Sequence, residues 1–142
     1  MEFDCLIVNA GLRFDYFNVN YDGYPSNIHD PVVDPGYGGV IKNPTKVAAK
    51  YAWSPRLGVS HPITDRDILY FNYGRYFQVP RFDFMFENLT FQLTGAFPRM
   101  GNANLKPEQT TSYELGVKHQ FASDLVLQVT GFYKDITGLT DT

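Results

Sequence analysis

Five segments of the chain alternate apolar and polar side chains with a period of two, at residues 6–17, 51–61, 68–78, 112–121 and 125–136. Successive side chains of a β-strand point to opposite faces, so the pattern gives each segment one apolar and one polar face. In the first, Leu6, Val8, Ala10, Leu12, Phe14 and Tyr16 oppose Ile7, Asn9, Gly11, Arg13, Asp15 and Phe17. In the second, Tyr51, Trp53, Leu57 and Val59 oppose Ala52, Ser54, Arg56, Gly58 and Ser60. The third sets Leu69, Phe71, Tyr73 and Phe77 against Tyr70, Asn72, Gly74, Tyr76 and Gln78, with Arg75 interrupting its apolar face. The fourth sets Tyr113, Leu115, Val117, His119 and Phe121 against Ser112, Glu114, Gly116, Lys118 and Gln120. In the fifth, Leu125, Leu127, Val129 and Tyr133 oppose Gln128, Thr130 and Lys134, while Val126 and Phe132 blur the polar side.

The connections are of two alternating kinds. "PITDRD" and "ASD" are turn-rich and short enough for hairpins. The other two connections, between residues 17 and 51 and between 78 and 112, are far longer than compact domains use without a functional reason. Both long loops are therefore expected at one end of the sheet and both short turns at the other. No helix longer than a turn is expected; "NLKPE" is a candidate turn before the fourth strand.

The 142 residues suffice for one domain, and the 16% aromatic content, mostly Tyr and Phe, favours sheet. Lys and Arg number 12 against 15 Asp and Glu, with no basic run, so no nucleic-acid partner is expected. Cys5 is the only cysteine, which excludes an internal disulfide and leaves the redox compartment undetermined. No segment approaches the ~20 apolar residues of a membrane helix. The N-terminal "MEFDCLIVNAGLRFDYF" has no basic leader or cleavage site and reads as strand.

Alternation alone fits a transmembrane barrel or a soluble sandwich. Three features favour the barrel. Segments of about eleven residues match the ~9 to 11 that cross a bilayer at a tilt. The aromatic residues Phe14, Tyr16, Tyr51, Trp53, Tyr73, Phe77, Tyr113 and Tyr133 gather at the long-loop end of the apolar faces, as a headgroup-level girdle requires. Short turns at one end and long loops at the other describe outer-membrane barrels, with periplasmic turns and extracellular loops. Each large apolar side chain removed from water is worth roughly 1.5–3 kcal/mol. Summed over five strands this exceeds the ~5–15 kcal/mol net stability of a domain, so the face must be covered. Bacterial barrels need an even number of strands, at least about eight, so the expected fold is all-β, a partial antiparallel transmembrane barrel completed by strands elsewhere. The alternative is a soluble all-β ligand-binding module.

"SPRLGVSHPITDRDILYFNYGRYFQVP", "GNANLKPEQTTSYELGVKHQF" and the following "FYKDI" resemble the barrel of TonB-dependent outer-membrane receptors, and "NAGLRFDYF" resembles those with a carboxypeptidase-regulatory-like N-terminal domain. The resemblance follows all five strands in order. "GNANL" departs from it, since Pro and Asp would be expected in place of Ala103 and Asn104. It implies residues 1–142 as part of a barrel of about 22 strands in the bacterial outer membrane, plugged by a folded domain. It further implies solute uptake driven through the TonB complex, with outer-membrane lipid, the plug and a siderophore, cobalamin, glycan or peptide as partners. No cofactor is implied.

On the barrel reading Arg13, Asp15, Arg56, Glu114 and Lys118 face the lumen or plug. Arg56 and Glu114 either position the plug or supply ordinary lumen polarity. The loop "VPRFDFMFENLTFQLTGAFPRMG" carries Arg81, Phe82, Asp83, Phe84, Phe86, Phe91, Phe97 and Arg99, which either bind a ligand or pack against neighbouring loops. "NVNYDG" imitates the start of a calcium loop, but His29 stands where the closing Glu belongs and a turn explains it. His29, His61 and His119 lack metal-ligand spacing, so no metal is expected. Ser54, Ser60, His61 and Asp65 have no nucleophile elbow and "PGYGG" no phosphate-binding Lys, so no catalysis is expected.

Overall fold

The computed structural model describes residues 2–3, 6–22, 33–34, 40–41, 44–87 and 101–139. The strands are β1 (Glu2–Phe3), β2 (Leu6–Phe17), β3 (Val33–Asp34), β4 (Val40–Ile41), β5 (Lys50–Pro62), β6 (Asp67–Gln78), β7 (Glu108–Ala122) and β8 (Leu125–Thr137). One short helix, α1 (Phe82–Phe86), precedes β7. The main sheet has the order β1-β2-β5-β6-β7-β8, and β3 pairs with β4. The fold is all-β, five long antiparallel strands in an open sheet, as in part of a barrel.

A strand of 12 residues such as β2 rises ~40 Å at about 3.3 Å per residue. Tilted by about 45°, it covers the ~30 Å hydrocarbon core of a bilayer. The register keeps the two faces apart. Leu57 pairs with Tyr73 and Val59 with Phe71, while Arg56 pairs with Gly74 and Ser60 with Tyr70. Tyr113 pairs with Tyr133 and Val117 with Val129, while Gly116 pairs with Thr130 and Lys118 with Gln128.

Two strands differ from expectation. β7 begins at Glu108, not 112, because the backbone stays extended through the polar "EQTT" and Gln109 is tied on both sides. Arg75 Nη2 donates to Gln109 Oε1, and Thr137 Oγ1 donates to the Gln109 carbonyl at 3.4 Å. The turn expected in "NLKPE" lies earlier, where Leu105 N–H donates to the Asn102 carbonyl at 3.0 Å. Arg75 does lie on the apolar side, but its guanidinium has found Gln109.

The chain divides into two compact units. The first comprises Met1–Asp15, Ala52–Phe77 and Gln109–Leu139 and holds most of the long strands and both short turns. Its buried positions among the described residues are Ser54, Gly74, Ser112 and Gly116, with no large apolar side chain among them. Leu12 is 66% exposed, Val129 64% and Trp53 55%. A soluble sandwich would bury these side chains. Here nothing described within the unit covers them, and the strands hold together through backbone ladders and the polar face.

One contact on that polar face spans three strands. The Tyr70 ring lies over Gly116 of β7, where a Cβ would collide with it. Its hydroxyl thereby reaches β8, accepting from Gln128 Nε2 at 2.7 Å and sharing a hydrogen bond with Thr130 Oγ1. At the turn end, Asp67 Oδ1 accepts from His119 Nδ1 at 2.5 Å, Asp67 Oδ2 accepts from Thr64 Oγ1 at 2.5 Å, and Gln120 N–H donates to the Arg66 carbonyl at 2.9 Å. The two hairpins are thus joined through side chains as well as through the ladder.

The second unit comprises Tyr16–Tyr51, Gln78–Glu108 and Thr140–Thr142. It contains the buried apolar residues Val47, Met85 and Ala103. Val47 N–H donates to the Tyr21 carbonyl at 2.9 Å. The α1 helix, five residues long, lies within the second long connection. Phe82, Phe84 and Phe86 alternate like a strand, yet the helix buries Met85 completely and brings the rings of Phe82 and Phe86 to 6.0 Å. Its end is held by Asn102 N–H on the Phe84 carbonyl at 2.8 Å and by Gly101 N–H on the Glu87 carbonyl at 2.6 Å.

Gly116→Ala should displace Tyr70 and destabilise the folded barrel by about 1–3 kcal/mol. Gly11, with open space around it, is the control. The denaturant midpoint of the heat-modifiable folded band of the full receptor should fall for Gly116→Ala and hold for Gly11→Ala.

Candidate functional site

The polar face of the first unit forms a concavity of about 590 Å³ lined by Asn9, Arg56, Asn72, Tyr76, Ser112 and Glu114, among others. The residues reach it from four strands because the period-two pattern turns one side of each strand the same way. Tyr76 folds back over Gly74, where any Cβ would meet its ring. That ring supports the Arg56 guanidinium at 5.0 Å from its centroid. A cation over an aromatic face is held in place without losing its charge. Glu114 is half-buried in the same concavity and has no ion-pair partner among the described residues. Ser112 is 5% exposed, and its hydroxyl has no hydrogen-bond partner among the described residues. A buried hydroxyl left unpaired costs about 1–3 kcal/mol.

Of the other polar-face candidates, Arg13 and Asp15 pair along β2, with Nη2 to Oδ1 at 2.5 Å. The Ser54 hydroxyl reaches Asp15 Oδ2 at 3.5 Å. This links β2 to β5. Lys118 lies on the same face, opposite Gln128 and away from the concavity. Phe132 stands opposite Glu114 with the Lys134 ammonium 5.4 Å from its ring centroid, so the blurred polar side of β8 is a cation–aromatic pair.

On the apolar side the aromatic candidates form a band. Phe14 and Trp53 have ring centroids 4.7 Å apart, Tyr73 and Tyr113 5.2 Å, and Tyr113 and Tyr133 6.3 Å. Aromatic pairs at these separations are attractive beyond the area they bury. Phe77 is half-buried, and Tyr16 and Tyr51 are exposed.

In the second unit α1 presents a row of rings. Phe17 and Phe82 are 6.4 Å apart, Phe82 and Phe86 6.0 Å, and Phe86 and Tyr21 6.4 Å. Phe82 stands out in the sequence as a loop aromatic, whereas Phe17 and Tyr21, which complete the row, lie far off in the chain. Arg81 pairs with Asp83 at 2.6 Å and leans over the Phe84 ring at 5.1 Å. Phe91, Phe97 and Arg99 lie outside the described residues, as do Gly23 and His29 of the calcium-like stretch and the "PGYGG" run. In that stretch Asn18 Oδ1 accepts from Asn20 N–H at 2.9 Å, Asn20 takes a positive φ of 52°, and Asp22 pairs with Lys46 at 3.8 Å.

An exposed apolar face with an aromatic band, backed by a polar concave face, is the division of surfaces a membrane barrel wall needs. The family model described as "TonB dependent receptor-like, beta-barrel" matches residues 1–142. The chain belongs to the TonB-dependent receptor β-barrel family. That family consists of outer-membrane proteins that act as receptors and transporters. No curated protein and no solved structure gives a significant match.

Desolvation pushes the Asp83 carboxyl up, but hydrogen bonds from Arg81 and from Phe84 N–H, with the charge of Arg81, outweigh it and leave the pKa below its ordinary value. A depressed carboxyl pKa makes its stabilising contribution fully present above the unfolded value near ~3.9, and that contribution is lost as pH falls through the lower folded value. The Arg81–Asp83 pair should therefore persist to pH below the ordinary Asp range. Carboxyl chemical shifts of Asp83 should titrate below those of a model peptide, and in Arg81→Gln they should return toward it.

Proposed function

We propose that this chain is part of the wall of an outer-membrane receptor that imports a solute with energy transmitted through TonB. The observation that carries the reading is the absence of protein against the apolar sides of the long strands, among the described residues, beside a polar face with charged groups. Side chains such as Leu12, Leu115 and Val129 are covered only if the surrounding medium is hydrocarbon. The outer edge of β8 then requires another strand. Each backbone N–H or C=O left unpaired in lipid costs several kcal/mol.

On this reading the short turns at 63–66 and 123–124 are periplasmic and the long connections extracellular. A plug domain of the parent protein occupies the lumen and contacts TonB, and Arg13, Asp15, Arg56, Glu114 and Lys118 face it. The solute is of the kind such barrels carry: a siderophore, cobalamin, glycan or peptide. The α1 row, with Phe82 63% exposed beside the Arg81–Asp83 pair, offers such a solute apolar and polar contact together. The reading assigns the chain no chemical catalysis.

The full receptor is predicted to fractionate with the outer membrane and to support TonB-dependent uptake. Phe82→Ala combined with Phe86→Ala should lower uptake at limiting solute by about tenfold or more, as loss of an aromatic anchor does, with the heat-modifiable band preserved. Unchanged uptake would remove α1 from the solute path. A full receptor recovered in the soluble fraction would overturn the reading as a whole.

A further inference from the structure

We propose that the outward side of β6 and β7 holds the bilayer locally thin, with phospholipid headgroups of the periplasmic leaflet drawn to the Asp67–His119 pair. This rests on the barrel reading above and extends it from the presence of lipid to its thickness.

The period of two decides which residues face outward. Within the first unit β2 has five successive apolar positions on that side, Leu6, Val8, Ala10, Leu12 and Phe14. β8 has Leu125, Leu127, Val129, Gly131 and Tyr133 before Asp135. β6 and β7 have only three each: Leu69, Phe71 and Tyr73, and Tyr113, Leu115 and Val117. Toward the short turns these runs end at Asp67 and His119, and toward the long connections at Arg75 and Thr111, with Gln109 beyond. His61 of β5 stands opposite Leu69 on the same side.

Asp67 and His119 have no way to withdraw from the lipid side. Their side chains are short, 29% and 37% exposed, and bonded to each other at 2.5 Å. Thr64 Oγ1 holds the second Asp67 oxygen at 2.5 Å, and the turn itself is tied to β7 by Gln120 N–H on the Arg66 carbonyl at 2.9 Å. An ionisable pair on a lipid-facing surface is most costly at mid-depth and least costly at the interface, so headgroups and water are favoured where this pair stands. At the other limit Arg75 donates to Gln109 Oε1, next to the stacked rings of Tyr73, Tyr113 and Tyr133. Such rings belong at headgroup level. Phe121, edge-on to His119 at 4.3 Å, lies just beyond the lower limit, where an aromatic ring is equally at home.

The spacing of the two limits then sets a thickness. Asp67 and Arg75 are eight residues apart on β6, which is ~26 Å along the strand at about 3.3 Å per residue and ~19 Å across the membrane at a tilt of about 45°. The apolar band of an outer-membrane barrel is about 25 Å tall. A bilayer thins beside an apolar stretch that is too short for it, at a small cost per ångström. Snorkelling, the other local remedy, needs a longer side chain than Asp67 or His119 has.

The test is spin-label accessibility in the full receptor, reconstituted in phosphatidylcholines with monounsaturated chains of fourteen, eighteen or twenty-two carbons. Single labels at Leu69, Phe71 and Tyr73, and at Asn72 on the polar side, are exposed to oxygen and to a water-soluble nickel chelate. The oxygen-to-chelate ratio at Leu69 should stay within about twofold across the three lipids, because headgroups remain at the Asp67–His119 pair. With Asp67→Leu and His119→Leu together, that ratio should rise about fivefold or more in the longest lipid, while the ratio at Tyr73 holds. A Leu69 ratio that climbs with chain length in the unsubstituted receptor would overturn the inference, and this reading needs no variant to fold. So would a ratio indifferent to the leucine pair, or a Leu69 label shielded from both reagents, which would mean that protein covers the stripe. Chelate access at Phe71 equal to that at Asn72 in every lipid refutes the barrel reading itself, whereas a dry Phe71 beside a climbing Leu69 refutes only the thin bilayer.

Discussion

An apolar sheet face with no protein against it has to be covered by a medium that is itself apolar. In the first unit this constraint governs the rest, because the residues buried within the sheet are serines and glycines and the large apolar side chains point away from it. In water such a sheet would expose what folding normally hides. In hydrocarbon the penalty reverses, and the backbone becomes the group that must be satisfied. The strand ladders meet that demand within the sheet, and further strands must meet it at the β8 edge.

With no large apolar side chain buried among the described residues of the first unit, strand registration there depends on the wet face. Tyr70 crossing Gly116 to reach Gln128 and Thr130 ties β6 to β8 over the top of β7. The Arg56–Tyr76 pair uses Gly74 in a similar way, as a place where a ring lies against backbone. Of these two pairs, Gly74 and Tyr76 line the concavity. In both places a glycine on the polar side of a strand is roofed by a tyrosine ring.

The strands were legible in the sequence wherever apolar and polar residues contrast. Leu6–Phe17 was read without error, and the ends of β5, β6 and β8 lie within a residue of expectation. β7 was read short at its start because Glu108, Gln109, Thr110 and Thr111 are all polar, which leaves no contrast for the period to register. α1 was hidden for the opposite reason: aromatics at 82, 84 and 86 mimic a strand, and only the burial of Met85 and the backbone bonds from residues 101–102 decide for helix. The candidate charges Arg56 and Glu114 were recognisable from their faces, whereas Ser112, Tyr76 and the His119–Asp67 bond were not. Those depend on which strands lie side by side, and the pattern within one strand carries no such information.

Because the account rests on hydrocarbon against one side of each strand, the most direct measurement is spin-label accessibility along β8 in the full receptor reconstituted in a bilayer. Single labels at Leu127, Gln128, Val129 and Thr130 would each be exposed to oxygen and to a water-soluble nickel chelate. Oxygen accessibility should peak at Leu127 and Val129, with chelate accessibility peaking at Gln128 and Thr130. Chelate access at Leu127 and Val129 equal to that at Gln128 and Thr130 would contradict it.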